Sequence, residues 1–223
     1  MADFRLPTKS QRVTVVGRTG SGKTWFGAWL LMNAPFHQQP YVIVDYKGDP
    51  LLRSIQGVRE LGLHEKLPSN PGLYCVRPLL HEEEAMEAWL WSVWQHEKIG
   101  LYFDEAFMLP NSGYSRRGAL QAILTQGRSK KIPVISLVQR PSQISLFVFS
   151  EADFYAVFHL NRRQDRKTMT DLGDALDASE LPAYHSKWYD VSGDTSYSML
   201  PVPDGEQIAY TIEQRLKPKR VFV

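Results

Sequence analysis

Gly17, Gly20, Gly22, Lys23 and Thr24 stand in the order GxxxxGK[ST], between the apolar run Arg12–Val16 and an apolar, helix-prone segment, Trp25–Asn33. The glycines permit backbone conformations that a side chain would forbid. Successive N–H groups of the loop, those of Arg18, Thr19 and Ser21 included, can therefore converge on phosphate oxygens at a helix N-terminus. Lys23 is then placed to reach the β- and γ-phosphates of ATP, and the Thr24 hydroxyl to bind Mg²⁺.

A second constellation gives the bound triphosphate a fate. The apolar run Ile99–Phe103 ends in two adjacent carboxylates, Asp104 and Glu105, in the manner of a Walker B strand. At a strand's C-terminal edge Asp104 can hold the Mg²⁺ shell through water, while Glu105 polarises the water that attacks the γ-phosphate. The run Ile132–Val138 ends at Gln139, an uncharged amide able to sense the γ-phosphate and orient that water. A carboxylate that activates water argues against a small-molecule kinase, which must exclude water. A non-catalytic nucleotide switch is the remaining alternative for such a site.

These residues need a scaffold that brings strand ends together. Continuous apolar runs at 13–16, 41–44, 73–76, 99–103, 132–138 and 154–160 predict strands covered on both faces. Helical patterns separate most of them, at 25–33, 81–96, 115–126 and 163–176. The alternation predicts an α/β fold with a mostly parallel, doubly wound sheet flanked by helices on both faces. Met86, Trp89, Leu90, Val93 and Trp94 fall on one helical face, so two tryptophans of the 89/91/94 trio read as core rather than as a stacking platform. From Pro182 onward the composition changes, and the pattern predicts a short β-hairpin over 187–191 and 196–200 followed by a tail.

With 223 residues, 43% of them hydrophobic, the chain reads as a single domain, its core over 10–180 and the hairpin and tail over 181–223. A formal net charge of +2 offers no whole-surface field for a polyanion, so nucleic-acid contacts must be local. Cys75 is alone, the N-terminus lacks the apolar core of a signal peptide, and apolar runs are too short for a membrane span. An intracellular protein that is not secreted, with no metal beyond Mg²⁺, is the expectation.

Four segments in order, VVGRTGSGKT at 15–24, YVIVDYKG at 41–48, LYFDEA at 101–106 and GRSKKIPVISLVQRPS at 127–142, resemble the FtsK/HerA superfamily of DNA-pumping ATPases. The most distinctive are Asp45-x-Lys47-Gly48 after the second strand and the QRPS at 139–142. The resemblance implies a RecA-like (ASCE) P-loop NTPase core with an extra strand between the phosphate loop and Walker B. It also implies assembly as a ring, usually a hexamer, with active sites between subunits. In such rings a neighbour's arginine stabilises charge on the γ-phosphoryl group. Arg128 matches the family position best, and Arg140 is the alternative.

The chain has no room for the membrane region and winged helix of cellular FtsK proteins or for the β-barrel of HerA. A stripped core of this size resembles the genome-packaging ATPases of tailless, internal-membrane phages. That similarity implies double-stranded DNA as substrate, capsid or membrane-vertex proteins as partners, and location in the host cytoplasm and at the virion packaging vertex. Another motor of the superfamily, acting in conjugative transfer, filamentous-phage export or DNA end processing, is the alternative. Loops facing a ring's pore would grip DNA phosphates without reading bases. Arg116 and Arg117 in the glycine- and tyrosine-containing stretch after Walker B are candidates, and Lys130 and Lys131 a second pair.

Overall fold

The structure, a computed structural model, describes residues 4–113 and 118–217. Its centre is a 9-stranded sheet in the order β3-β4-β2-β5-β6-β1-β7-β8-β9. The strands are β1 (Arg12–Val16), β2 (Pro40–Val44), β3 (Arg59–Glu60), β4 (Gly72–Val76), β5 (Gly100–Phe103), β6 (Val134–Val138), β7 (Phe154–Phe158), β8 (Ser186–Asp190) and β9 (Thr195–Met199). All neighbours from β3 to β7 pair in parallel, and β7, β8 and β9 pair antiparallel.

Helices cover both faces, which is why β1, β2, β6 and β7 are buried at every position and read as largely apolar runs. One face packs Val13, Val15, Ile43, Leu137 and Phe158 against α1 (Lys23–Asn33), α2 (Pro50–Ser54) and α7 (Gly205–Leu216). The other packs Val16, Val44, Phe103 and Val138 against α3 (Glu83–His96), α4 (Ala119–Gln126), α5 (Phe147–Ser150) and α6 (Arg163–Leu172). Met86, Trp89, Leu90 and Val93 of α3 are buried in that second layer, while Trp91 stays 38% exposed.

Strand β6 is the extra strand, seated between β1 and β5 in register Val16↔Val138 and Phe103↔Ser136. Three strand ends therefore meet at one edge, so the segments that begin with Gly17, Asp104 and Gln139 rise together. Connections on the two sides of β1 diverge there, the place where open α/β sheets bind ligands.

The expected tail needs correction. After the β8–β9 hairpin the chain forms α7, with the Asp204 carboxylate capping it through the Gln207 N–H at 2.9 Å. Ile208 and Ile212, both at 0% exposure, press its apolar stripe onto the α1 layer. The helix expected over 163–176 stops at Leu172, and Asp174–Leu176 forms a separate 3-10 turn beyond Gly173. Helix α4 is described from Ala119. Arg116 and Arg117 lie outside the described residues.

Candidate nucleotide-hydrolysis site

The loop Gly17–Thr24 leaves β1 tied to its neighbour strand, since the Gly17 N–H donates to the Val138 carbonyl at 3.1 Å. It enters α1 through Gly22, whose φ of +93° lies in the left-handed region that favours glycine. Gly27, further along α1, solves a different problem. A Cβ there would stand 2.8 Å from both Leu137 Cδ1 and the Tyr102 hydroxyl, so only glycine lets α1 sit this close to β5 and β6. Nothing acidic occupies the first turn of α1 and no side chain caps it, which leaves its N-terminal N–H groups for an anion.

Lys23 begins α1 at 5% exposure. Burial lowers its pKa below the ordinary lysine value, opposed by the nearby carboxylates Glu105 and Asp104. Asp104 follows β5 at 3% exposure, and burial pushes its pKa up to about 6, with Asp49 adding to the rise and Lys23 opposing it. Its Oδ1 and the Ser21 hydroxyl are buried without a hydrogen-bond partner. A buried, unpaired carboxylate oxygen beside a phosphate loop is suited to a hydrated cation. Among the described residues no group of three or more His, Cys, Asp or Glu could hold a metal. Thr24, Asp104, phosphates and water would therefore make up the shell, a donor set that fits Mg²⁺.

Glu105 is also buried, at 6% exposure, and its Oε2 accepts from the Lys47 ammonium at 2.8 Å. Gln139 stands at the end of β6, where its Oε1 accepts from the Thr19 hydroxyl at 3.1 Å. The structure thus brings the phosphate loop, Asp104, Glu105 and Gln139 to one sheet edge. Two of the clefts that open there border Lys23 and Glu105. One, of about 400 Å³, borders Arg18, Gly22, Lys23, Thr24, Trp25, Asp49 and Tyr184, and the other, of about 630 Å³, borders Lys47, Glu105, Gln139 and Arg140.

Arg128, Lys130 and Lys131 precede β6 and so lie at the opposite edge of the parallel sheet from this site. Arg128 is largely exposed, 3.7 Å from the Asp153 carboxylate. Lys130 is committed within its own subunit: it pairs with Glu97 at 2.7 Å and lies over the Trp94 ring at 4.1 Å. Lys131 is exposed. Arg140 stays at the nucleotide edge.

Three neighbours of the site escaped the sequence reading. The sequence marks Lys47 only as part of the Asp45-x-Lys47-Gly48 motif and gives it no partner. Asp49 caps α2 through the Leu51 and Leu52 N–H groups, a start that the Asp49-Pro50 pair signals. Tyr184 reaches Gly22 from a distant loop, and no local signal marks it.

No protein-family model matches the chain. The chain is 37% identical to DNA packaging ATPase P9 of Enterobacteria phage PRD1 over 98% of its own length and 99% of that protein. Its fold is similar to that of the genome packaging NTPase B204 of Sulfolobus turreted icosahedral virus 2, solved with AMPPCP. The TM-score is 0.72 at 20% identity, covering 88% of this chain and 100% of that one. A weaker likeness, TM-score 0.59 at 13% identity over 93% of this chain and 65% of the other, links it to the pCW3 conjugation coupling protein TcpA with ATPγS. Near-complete coverage at that identity, with the phosphate loop and carboxylate pair in place, makes the chain a member of the phage DNA packaging ATPase family that includes P9 of PRD1.

Proposed function

We propose that the chain is the motor ATPase that drives double-stranded DNA into a viral shell, hydrolysing ATP with Mg²⁺ and working as a ring of identical subunits. The observation that carries this reading is the buried pair Asp104 and Glu105 beside Lys23 at the mouth of the phosphate loop. Lys23 and the N-terminal N–H groups of α1 hold the phosphates. Thr24 and Asp104 would hold Mg²⁺, which would supply charge neutralisation on the β- and γ-phosphates. Glu105 takes the proton of the attacking water, and Gln139 orients it. Trp25, 43% exposed, and Tyr184, 55% exposed, offer aromatic surface for the base.

Residues 1–223 act as one motor domain in this reading. Arg128, exposed on the edge away from its own nucleotide, is the arginine this reading assigns to a neighbour's site, and Arg140 is the alternative finger. Arg116, Arg117 and Lys131 are the DNA contacts; Lys130 is the weakest of the set because Glu97 already neutralises it. The working location is the host cytoplasm and the packaging vertex, with capsid or vertex proteins as partners. No helix among the described residues is long and apolar enough to cross a membrane, so a vertex partner would provide any membrane attachment.

The test is the ATPase rate of the purified protein with and without duplex DNA, assembled on its vertex partners. DNA-stimulated turnover supports the reading. A rate indifferent to duplex DNA in that assembly overturns it.

A further inference from the structure

A further concavity, of about 340 Å³, shares Gln139 and Arg140 with the cleft that borders Glu105, and Arg18 with the cleft that borders Lys23. Arg162 and Asp165 complete its charged lining. Three guanidiniums thus meet there from three segments: the phosphate loop, the end of β6 and the turn between β7 and α6. Arg5, Arg12 and Arg77 each face a carboxylate. Among the described residues the guanidiniums of Arg18, Arg140 and Arg162 have no carboxylate or hydrogen-bond partner. The walls that carry them are tied together. The Thr19 hydroxyl donates to Gln139 Oε1 at 3.1 Å, joining the loop to the end of β6. The Ser142 N–H and hydroxyl donate to Asp165 Oδ1 at 3.1 and 2.6 Å, joining the turn after β6 to α6. Arg166 donates to the Leu160 and Asn161 carbonyls at 3.1 and 3.0 Å, joining α6 to the end of β7.

Three guanidiniums and one carboxylate leave this pocket with a net charge of +2. Like charges gathered in a fixed concavity repel one another until an anion offsets them. The planar fork of arginine fits phosphate oxygens, and a net +2 suits the dianion of free phosphate better than the single charge of a DNA phosphodiester. ATP hydrolysis releases such a dianion beside Glu105 and Gln139, in the cleft that shares a wall with this pocket. We infer that Arg18, Arg140 and Arg162 form a phosphate-release subsite, which receives the inorganic phosphate cleaved from ATP before it leaves the protein. The inference rests on the proposed hydrolysis at Glu105 for its source of phosphate, whereas the anion site itself needs no turnover to fill. Arg162 borders neither of the other two clefts, so it is the member that reports on this pocket alone.

The deciding experiment titrates inorganic phosphate calorimetrically into wild type and Arg162→Gln, each saturated with AMPPCP and Mg²⁺ so that the γ-phosphate position is already filled. Wild type is expected to bind one phosphate per subunit, and Arg162→Gln to bind it about tenfold more weakly, as the loss of one charge-assisted hydrogen bond requires. Arg162→Lys keeps the charge without the fork and must weaken binding in the same direction by less, which also covers a failure of Arg162→Gln to fold. During steady-state turnover, added phosphate should lower kcat without raising KM for ATP, and about tenfold more of it should be needed in Arg162→Gln. Absence of phosphate binding to the AMPPCP complex, or equal affinity in wild type and Arg162→Gln, overturns the subsite. Phosphate that raises KM overturns it too, because it then competes for the phosphate loop. So does a fall in duplex DNA affinity in Arg162→Gln with phosphate affinity unchanged, which assigns the cluster to the DNA backbone. Phosphate bound as expected by a protein that turns over no ATP would contradict the hydrolysis reading and the release role together, leaving only the anion site.

Discussion

The Thr19 hydroxyl donates to Gln139 Oε1 at 3.1 Å, joining the phosphate loop to the end of the strand inserted beside it. The bond lies between the element that holds the triphosphate and the amide expected to orient the attacking water. In the proposed mechanism this contact, between residues that the sequence places 120 positions apart, would link nucleotide binding to water positioning.

Gln139→Ala removes both the amide and its tie to the loop. Turnover is expected to fall by about a hundredfold, the range seen when a preorganised transition-state donor is deleted, with ATP affinity nearly unchanged. Steady-state ATPase assays paired with equilibrium nucleotide binding check both halves.

Asp104 gives a prediction about stability as well as catalysis. Its pKa, raised from 3.8 to about 6 chiefly by burial, means that the nucleotide-free fold binds this proton more tightly than the unfolded chain does. Asp104 therefore costs no stability well below pH 4, and destabilises progressively as pH rises from about 4 to about 6, reaching its full cost above that. Asp104→Asn should abolish turnover yet raise stability at pH 7.5 by on the order of 2 kcal/mol, a gain that vanishes near pH 3 to 4. Urea unfolding of both proteins at the two pH values measures the difference.

Ile212→Ala addresses the helix that closes the α1 layer. Complete burial of this side chain predicts a loss of about 2–4 kcal/mol, read as a lower urea midpoint. Since α7 packs against α1, which carries Lys23, nucleotide binding should weaken along with stability.

What the sequence revealed followed from locality. The strands from β1 to β7 other than β3 showed as apolar runs because helices bury both their faces, and GxxxxGKT lies between a strand and a helix that each declare themselves. Helix α7 stayed hidden because its stripe is Ile208, Ala209 and Ile212 among polar residues, and its capping signal at Asp204 follows a segment rich in Tyr, Ser, Gly and Pro. Strand β3 is Arg59–Glu60, too short and too polar for any periodicity. The pairings of Lys47 with Glu105 and of Asp45 with Arg77 depend on β2 lying between β4 and β5, a fact of topology and not of spacing.

The central claim, that hydrolysis at Asp104 and Glu105 drives DNA movement, is tested most directly by filling empty procapsids of the virus with duplex DNA in the presence of ATP. Wild type should package in proportion to ATP consumed. Glu105→Gln should bind ATP, assemble at the vertex and move no DNA. Procapsids filled as well by Glu105→Gln as by wild type would contradict the account.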